Sequence, residues 1–351
     1  MAGPWVVDGL TFTKRKPVTN IGNRPSAALS NYPLKVGIVS DAQIGAAAQG
    51  DGDDLRFALQ SAELTALYAE KNNFAVAGGL ATGNFWVNAP SVLSSADLAL
   101  YCYYGNAGAA AQANPELAYN ADFAVVYHCS QDPSISQILD STAALKHGTS
   151  QGSMTSGDLV DGKLYKALDF DGSDDAILCP LWTANATTPS ISAWVKKASG
   201  AVGERMAMHL GRDGTGFGFG INAANRAALV DLQTWVTDAA STTNWELHLL
   251  ERGVDGVVRL FVNGGQVATA TTIVRSPLTS SGIGFSPSLR YWSGLVCEAR
   301  CCTERSAAWK SYDYLTQDTA AGGLTWGAEE GAGGIYRPFG PAFVAGRSRR
   351  R

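Results

Sequence analysis

From about residue 160 to 318, short runs of alternating apolar and polar side chains recur about every 8–15 residues, separated by Gly, Asn and Asp. A period of two is the spacing at which successive strand side chains face opposite ways. In 257–262, Val258, Leu260 and Val262 fall on one face and Arg259 and Phe261 on the other. Asn263 and Gly264 offer a tight reversal after this run, and Asp255 with Gly256 offers another before it. Residues 245–250 and 257–262 are therefore predicted to form an antiparallel hairpin. In 190–196, parity places Ile191, Ala193 and Val195 on one side and Ser192 and Trp194 on the other, so the strand should be covered on both faces. Phe217, Phe219 and Ile221 alternate with glycines, as in a strand packed closely on its neighbour. Only 306–316 reads clearly as helix: Ser306 can cap it, and Trp309, Tyr312 and Leu315 recur at helical spacing.

The preceding block, 1–130, carries β-branched or aromatic runs at 35–39, 85–89 and 98–104, bounded by turn formers. Residues 58–71 have helix-favouring composition, but Leu55, Phe57 and Leu59 alternate just before them, and strand is the preferred reading. Residues 131–159 are a polar connection with turn signals near Asp140 and His147. The tail, 319–351, is rich in Gly, Ala and Pro and is expected to extend over the surface or onto a neighbour. The expected architecture is all-β. Two β-sandwich or jelly-roll domains (1–130 and 160–318) consist of antiparallel sheets, with one short C-terminal helix.

Composition narrows the function classes. The 351 residues are 46% hydrophobic, enough for sizeable cores, and only 17% charged. A net charge of −4 gives no footprint for nucleic-acid binding. The first residues lack a basic stretch followed by an apolar one, so no signal peptide is read, and no run is long enough for a membrane helix. Cytosolic synthesis is the expectation. The cysteines at 102, 129, 179, 297, 301 and 302 form no Cys-x-x-Cys pair and sit in apolar runs, which suggests buried free thiols.

Several pieces of the second block, taken in order, form a set. They are 163–177, 190–196, 245–249, 257–265, 291–300 and 305–314. This set resembles the laminin-G-like branch of the concanavalin A-like lectin/glucanase superfamily. The resemblance implies an antiparallel jelly roll that binds glycans or partner surfaces and is catalytic only where particular carboxylates are added. The stretches at 34–36, 51–57, 85–91, 98–101 and 103–106 similarly resemble an uncharacterised β domain that precedes such jelly rolls in prokaryotic and phage proteins. Together the two resemblances span about 30–317.

Candidate chemistry is sparse. Glucanases of that superfamily carry Glu-x-Asp-x-x-Glu on one strand. No such run is present, and Glu246 and Glu298 are isolated in sequence. His128, His147, His209 and His248 are scattered, with no nucleophile elbow. The glycine-rich stretch from Gly211 lacks the residues of a phosphate-cradling loop. Asp51, Asp53 and Asp54 gather in one turn, and Asp171, Asp174 and Asp175 in another. The latter set is the candidate Ca²⁺ site, with turn formation as the preferred alternative. Aromatic faces stack on sugar rings, which makes Trp182, Trp235, Tyr291 and Trp292, near predicted loops or strand ends, the glycan-binding candidates. Arg347, Arg349, Arg350 and Arg351 could dock the tail on an acidic partner.

The sequence thus points to a non-enzymatic recognition or adhesion protein with no obligatory cofactor. Its family context and absent export features suggest a phage virion component, such as a tail fibre, spike or head decoration. Expected partners are other virion subunits, further copies of itself and host-surface glycans. The alternatives are a purely structural virion subunit, a polysaccharide hydrolase, and a bacterial surface adhesin.

Overall fold

A computed structural model describes residues 4–135, 137–182, 188–211, 216–230, 234–270 and 280–332. Two large antiparallel sheets face each other in the second half. One runs Gln137–Ile138, Gly148–Gln151, Ala176–Cys179, Ser281–Ile283, Arg205–Leu210, Phe217–Asn222, Asn225–Val230, Thr234–Ala240. The other runs Leu159–Asp161, Lys166–Asp171, Ser293–Thr303, Pro189–Lys197, Glu246–Arg252, Val258–Val262, Gly265–Ala270. Between them lies a core that includes Phe170, Ile191, Met208, Phe219, Leu250, Leu260 and Val296. The alternation in the sequence is what fills it, since one side chain in two points inward.

The predicted hairpin forms, with Leu250 opposite Leu260 and His248 opposite Val262. Val262 then pairs with Gly265 across Asn263 (φ 51°) and Gly264 (φ 79°). Positive φ at both central residues is what a two-residue hairpin turn requires. Trp194 is covered as its parity suggested. Its indole N–H donates to Gln317 Oε1 (2.7 Å), and its ring lies 5.8 Å from that of Tyr314. Both partners belong to the helix Ala307–Asp318, which is capped by Ser306 through the Trp309 N–H.

The first half has two larger sheets besides the two-stranded pair Trp5–Val7 and Leu10–Phe12. Leu29–Asp41, Leu80–Val92 and Ala69–Ala77 form one; Lys14–Thr19, Ala99–Tyr104 and Arg56–Leu59 lie in the other. Phe57, Phe85, Val36 and Leu100 pack between them. The strand reading near 58 holds: Arg56–Leu59 is a strand, and the chain turns before entering Ala69–Ala77.

Three expectations are corrected. Phe123–Tyr127, assigned to the first block, is shared between the two: its backbone pairs with Ser293–Thr303 of the second, Ala124, Val125 and Tyr127 pack in the second core, and Phe123 and Val126 in the first. The described part of the tail, 319–332, does not simply run over the surface, because Thr325–Trp326 and Glu330–Gly331 both add to the edge of Lys14–Thr19. A second, six-residue helix, Ala42–Ala47, is present. The Asp41 carboxylate starts it by accepting from the Gln43 and Ile44 N–H groups. Five of the six cysteines are buried, and Cys179 is half-buried. No helix among the described residues is long and apolar enough to cross a membrane.

Candidate functional site

The four aromatic candidates separate by face. Trp292 is 1% exposed and lies in the sandwich core, and so does Trp182, whose indole N–H donates to Tyr127 Oη (3.3 Å). Neither presents a ring to a sugar, which corrects the expectation for both. Strand parity explains the split at 291–292. Trp292 points inward, whereas Tyr291, half-buried, forms a bridge with Met206 on the opposite face.

Trp235 joins Tyr291 on that outer face. It is half-buried and packs on Met206. The glycines at 218 and 220 make room beneath Met206: a Cβ on Gly218 would meet its Sδ at 2.7 Å, and one on Gly220 would meet the Arg205 carbonyl at 2.0 Å. The Arg290 guanidinium lies 5.8 Å from the Trp235 ring centre and is paired with Glu204 (2.8 Å). Arg205 donates to the Tyr291 and Gly172 carbonyls, which fixes the edge of this patch. The result is an aromatic and cationic face on a rigid sheet.

The structure brings Asp171, Asp174 and Asp175 together, with carboxylate oxygens within 4.8 Å of one another. Local bonds account for the arrangement. Asp171 Oδ1 accepts from the Ser173 (2.7 Å) and Asp174 (3.4 Å) N–H groups, and Asp175 Oδ2 from the Asp171 N–H (3.0 Å). Burial opposes ionisation of Asp171, yet these backbone donors hold its carboxyl below the ordinary value. Burial, then neighbouring carboxylates, hold Asp175 above it. The other Asp-rich turn is structural. Asp54 is fully buried and accepts from three backbone N–H groups, those of Gln49, Gly105 and Asn106. Arg347, Arg349, Arg350 and Arg351 lie outside the described residues.

Sequence reasoning missed a buried charged network at the junction of the two halves. His128 bonds Glu298 through Nδ1 (2.7 Å) and Glu70 through Nε2 (2.9 Å). Arg300 grips Glu298 (2.7 Å) and Asp313 (3.3 Å), and Tyr32 Oη bonds Thr316 (2.9 Å) and Asp313 (3.3 Å). Trp86 lines it, stacked on His128 with Arg300 at 4.3 Å from its ring. Burial alone would lower the His128 pKa, but Glu298 and Glu70 outweigh it and raise the value to about 10. Glu298 stays ionised below its ordinary range, burial being overcome by His128 and Arg300. The only sequence signal was a charged residue inside each apolar strand. Glu246 is likewise engaged, by His248 (3.0 Å) and Arg226 (3.4 Å).

No family model and no curated protein matches the chain. Among solved structures it is similar to the receptor-binding domain of botulinum neurotoxin C/D mosaic serotype, at 12% identity and a TM-score of 0.43, covering 56% of this chain and 51% of that one. It is similar to domain 4 of AbnA, a GH43 extracellular arabinanase from Geobacillus stearothermophilus in complex with arabinotriose, at 18% identity and a TM-score of 0.42, covering 55% and 98%. It is also similar to Trypanosoma rangeli sialidase, at 14% identity and a TM-score of 0.46, covering 61% and 35%. The chain spans about half the length of the neurotoxin domain. These likenesses are distant and partial.

Proposed function

We propose that this chain is a non-enzymatic recognition or adhesion protein of the laminin-G-like, concanavalin A-like type, and a component of a phage virion that contacts host-surface glycans. The observation that carries the recognition reading is the outer-face patch of Trp235, Tyr291 and Arg290. A half-buried indole with a guanidinium over its ring offers aromatic surface and cationic hydrogen-bond donors side by side, the pairing a sugar ring uses. The carboxylates that a hydrolase would need free, Glu246 and Glu298, are instead buried against cationic or imidazole partners. The virion setting comes from the sequence resemblance, as do assembly with other virion subunits and with further copies of the chain. Ca²⁺ has no required part in this reading.

A glycan array probed with the wild-type chain and with Trp235→Ala tests it. Glycan binding that falls at least tenfold in Trp235→Ala, with an unchanged circular dichroism spectrum, is the expected result. No binding to any glycan, with the patch occluded in assembled particles, would select a purely structural subunit. Release of reducing sugar from a polysaccharide panel would make the chain a hydrolase.

A further inference from the structure

A second recess, of about 320 Å³, lies on the seam between the two halves, far in sequence from the aromatic patch. Lys35, Thr82 and Asn84 line it from the first half, and Lys163, Gln317 and Asp318 from the second. Its size sits at the small end of ligand pockets, about 300–1,000 Å³.

One donor on its lining residues is unpartnered. Gln317 is 1% exposed. Its Oε1 must be the atom facing Trp194, because an indole N–H can only donate. The amide orientation is thereby fixed, and Nε2, buried with no hydrogen-bond partner, is the donor left over on this lining residue. Lys35 is 2% exposed, and one of its three ammonium N–H groups donates to the Thr319 carbonyl (2.8 Å) at the end of the helix. Lys163 pairs with Asp318 (2.7 Å) and lies 4.8 Å above the Trp194 ring. Asp318 is the carboxylate that lines the recess with these two ammonium groups, since Glu298, which also attracts Lys35, is already held by His128 and Arg300; Lys35 also answers the partial negative charge of the helix end. Burial, and then Lys163, hold the Lys35 pKa down to about 8 against the opposing pull of Glu298 and Asp318. The Asn84 side-chain NH2 donates to Asn73 Oδ1 and to the Leu164 carbonyl, so it adds no free donor to the recess. Val39, Thr82 and Thr319 are exposed at the rim, so the recess opens to solvent.

We propose that this seam recess binds a small molecule through a carboxylate, on the scale of a sugar acid. One carboxylate oxygen would take the Gln317 N–H and the other the Lys35 ammonium. A single negative charge balances the surplus cation, whereas a phosphate dianion would exceed it. The recess is independent of the outer-face patch, and Trp235→Ala should leave it unchanged.

The full chain would be tested at fixed ionic strength with glucuronate, glucose and inorganic phosphate. The readouts are the melting temperature and the rate of Lys35 acylation at pH 8, followed by mass spectrometry. Glucuronate should raise the melting temperature and slow Lys35 acylation roughly tenfold at about ten times its Kd, while glucose does neither. Gln317→Glu keeps an acceptor for Trp194 and gives Lys35 a partner, so it should fold. It should also lose the glucuronate response, because its carboxylate repels the ligand. Absence of both effects with glucuronate, an equal response to glucose, or an undiminished response in Gln317→Glu would overturn the proposal. A phosphate response equal to that of glucuronate would overturn the assignment to a carboxylate.

Discussion

At the scale of single residues, the buried ionisable groups set the pH response. His128 has its pKa raised from 6.5 to about 10, so it binds a proton in the folded chain that the unfolded chain has released across that interval. Its stabilisation is complete below pH 6.5 and is lost as pH rises. Lys35 acts in the opposite sense. Its pKa falls from 10.5 to about 8, so above pH 8 the unfolded chain holds a proton that the folded one has released, and stability rises. The two slopes cancel between about pH 8 and 10. Stability should therefore drop by about 2 kcal/mol from pH 6.5 to 8 and then level off. Urea unfolding at stepped pH checks this, and Lys35→Met should extend the decline towards pH 10. His128→Gln should abolish the decline and cost about 3–5 kcal/mol near neutrality, because Glu70 and Glu298 would face each other without the imidazolium. A variant as stable as wild type would remove His128 from the account. The Asp171 turn makes its own prediction. Its carboxylates are held by backbone donors, so Ca²⁺ should leave the melting temperature unchanged, and a calorimetric titration with heat of binding would refute that.

At the scale of elements, local alternation was legible and long-range pairing was not. The strand at 217–222 could be read because Phe217, Phe219 and Ile221 alternate with small residues, and its glycines sit where the neighbouring strand approaches most closely. Gly220→Ala should therefore push against the Arg205 carbonyl and loosen the pairing with Met206, at a cost of about 1–3 kcal/mol in urea unfolding. The same substitution at Gly50, where a Cβ meets nothing within 4 Å and φ is not positive, is the control without the clash. By contrast, no local pattern tells whether a tryptophan at a strand end faces the core. Parity separates Tyr291 from Trp292 only once the register of their neighbours is known, and Trp182 depends on Tyr127 from a distant strand. That Phe123–Tyr127 is shared by both halves was hidden for the same reason: its partner strand begins at Ser293. The charged network stayed hidden because His128, Glu70 and Glu298 each look solitary until three strands are brought together.

At the scale of the whole molecule, the halves are interlocked rather than strung in series. The helix Ala307–Asp318 follows the last strand of the second half, yet its Trp309 and Tyr312 sit in the core of the first. Trp309 lies 4.7 Å from the Tyr32 ring and 6.2 Å from that of Phe123. The other side of the same helix holds Trp194 through Gln317 and covers Phe261 with Lys310, 4.0 Å from its ring. The chain then returns to extend the Lys14–Thr19 edge, and the Trp326 indole donates to the Gly37 carbonyl (3.0 Å). A helix shared by two cores cannot remain packed when either core melts, so the halves should unfold in one transition with equal calorimetric and van't Hoff enthalpies. Trp309→Ala should cost about 3–5 kcal/mol, since it opens a cavity against Tyr32 and Phe123. Because the helix is shared, that cost should lower the melting of both halves together, read as parallel loss of near-ultraviolet circular dichroism and of Trp194 burial. Two resolved transitions in the wild-type chain, or a Trp309→Ala variant that melts only the first half, would show that the helix belongs to one core alone.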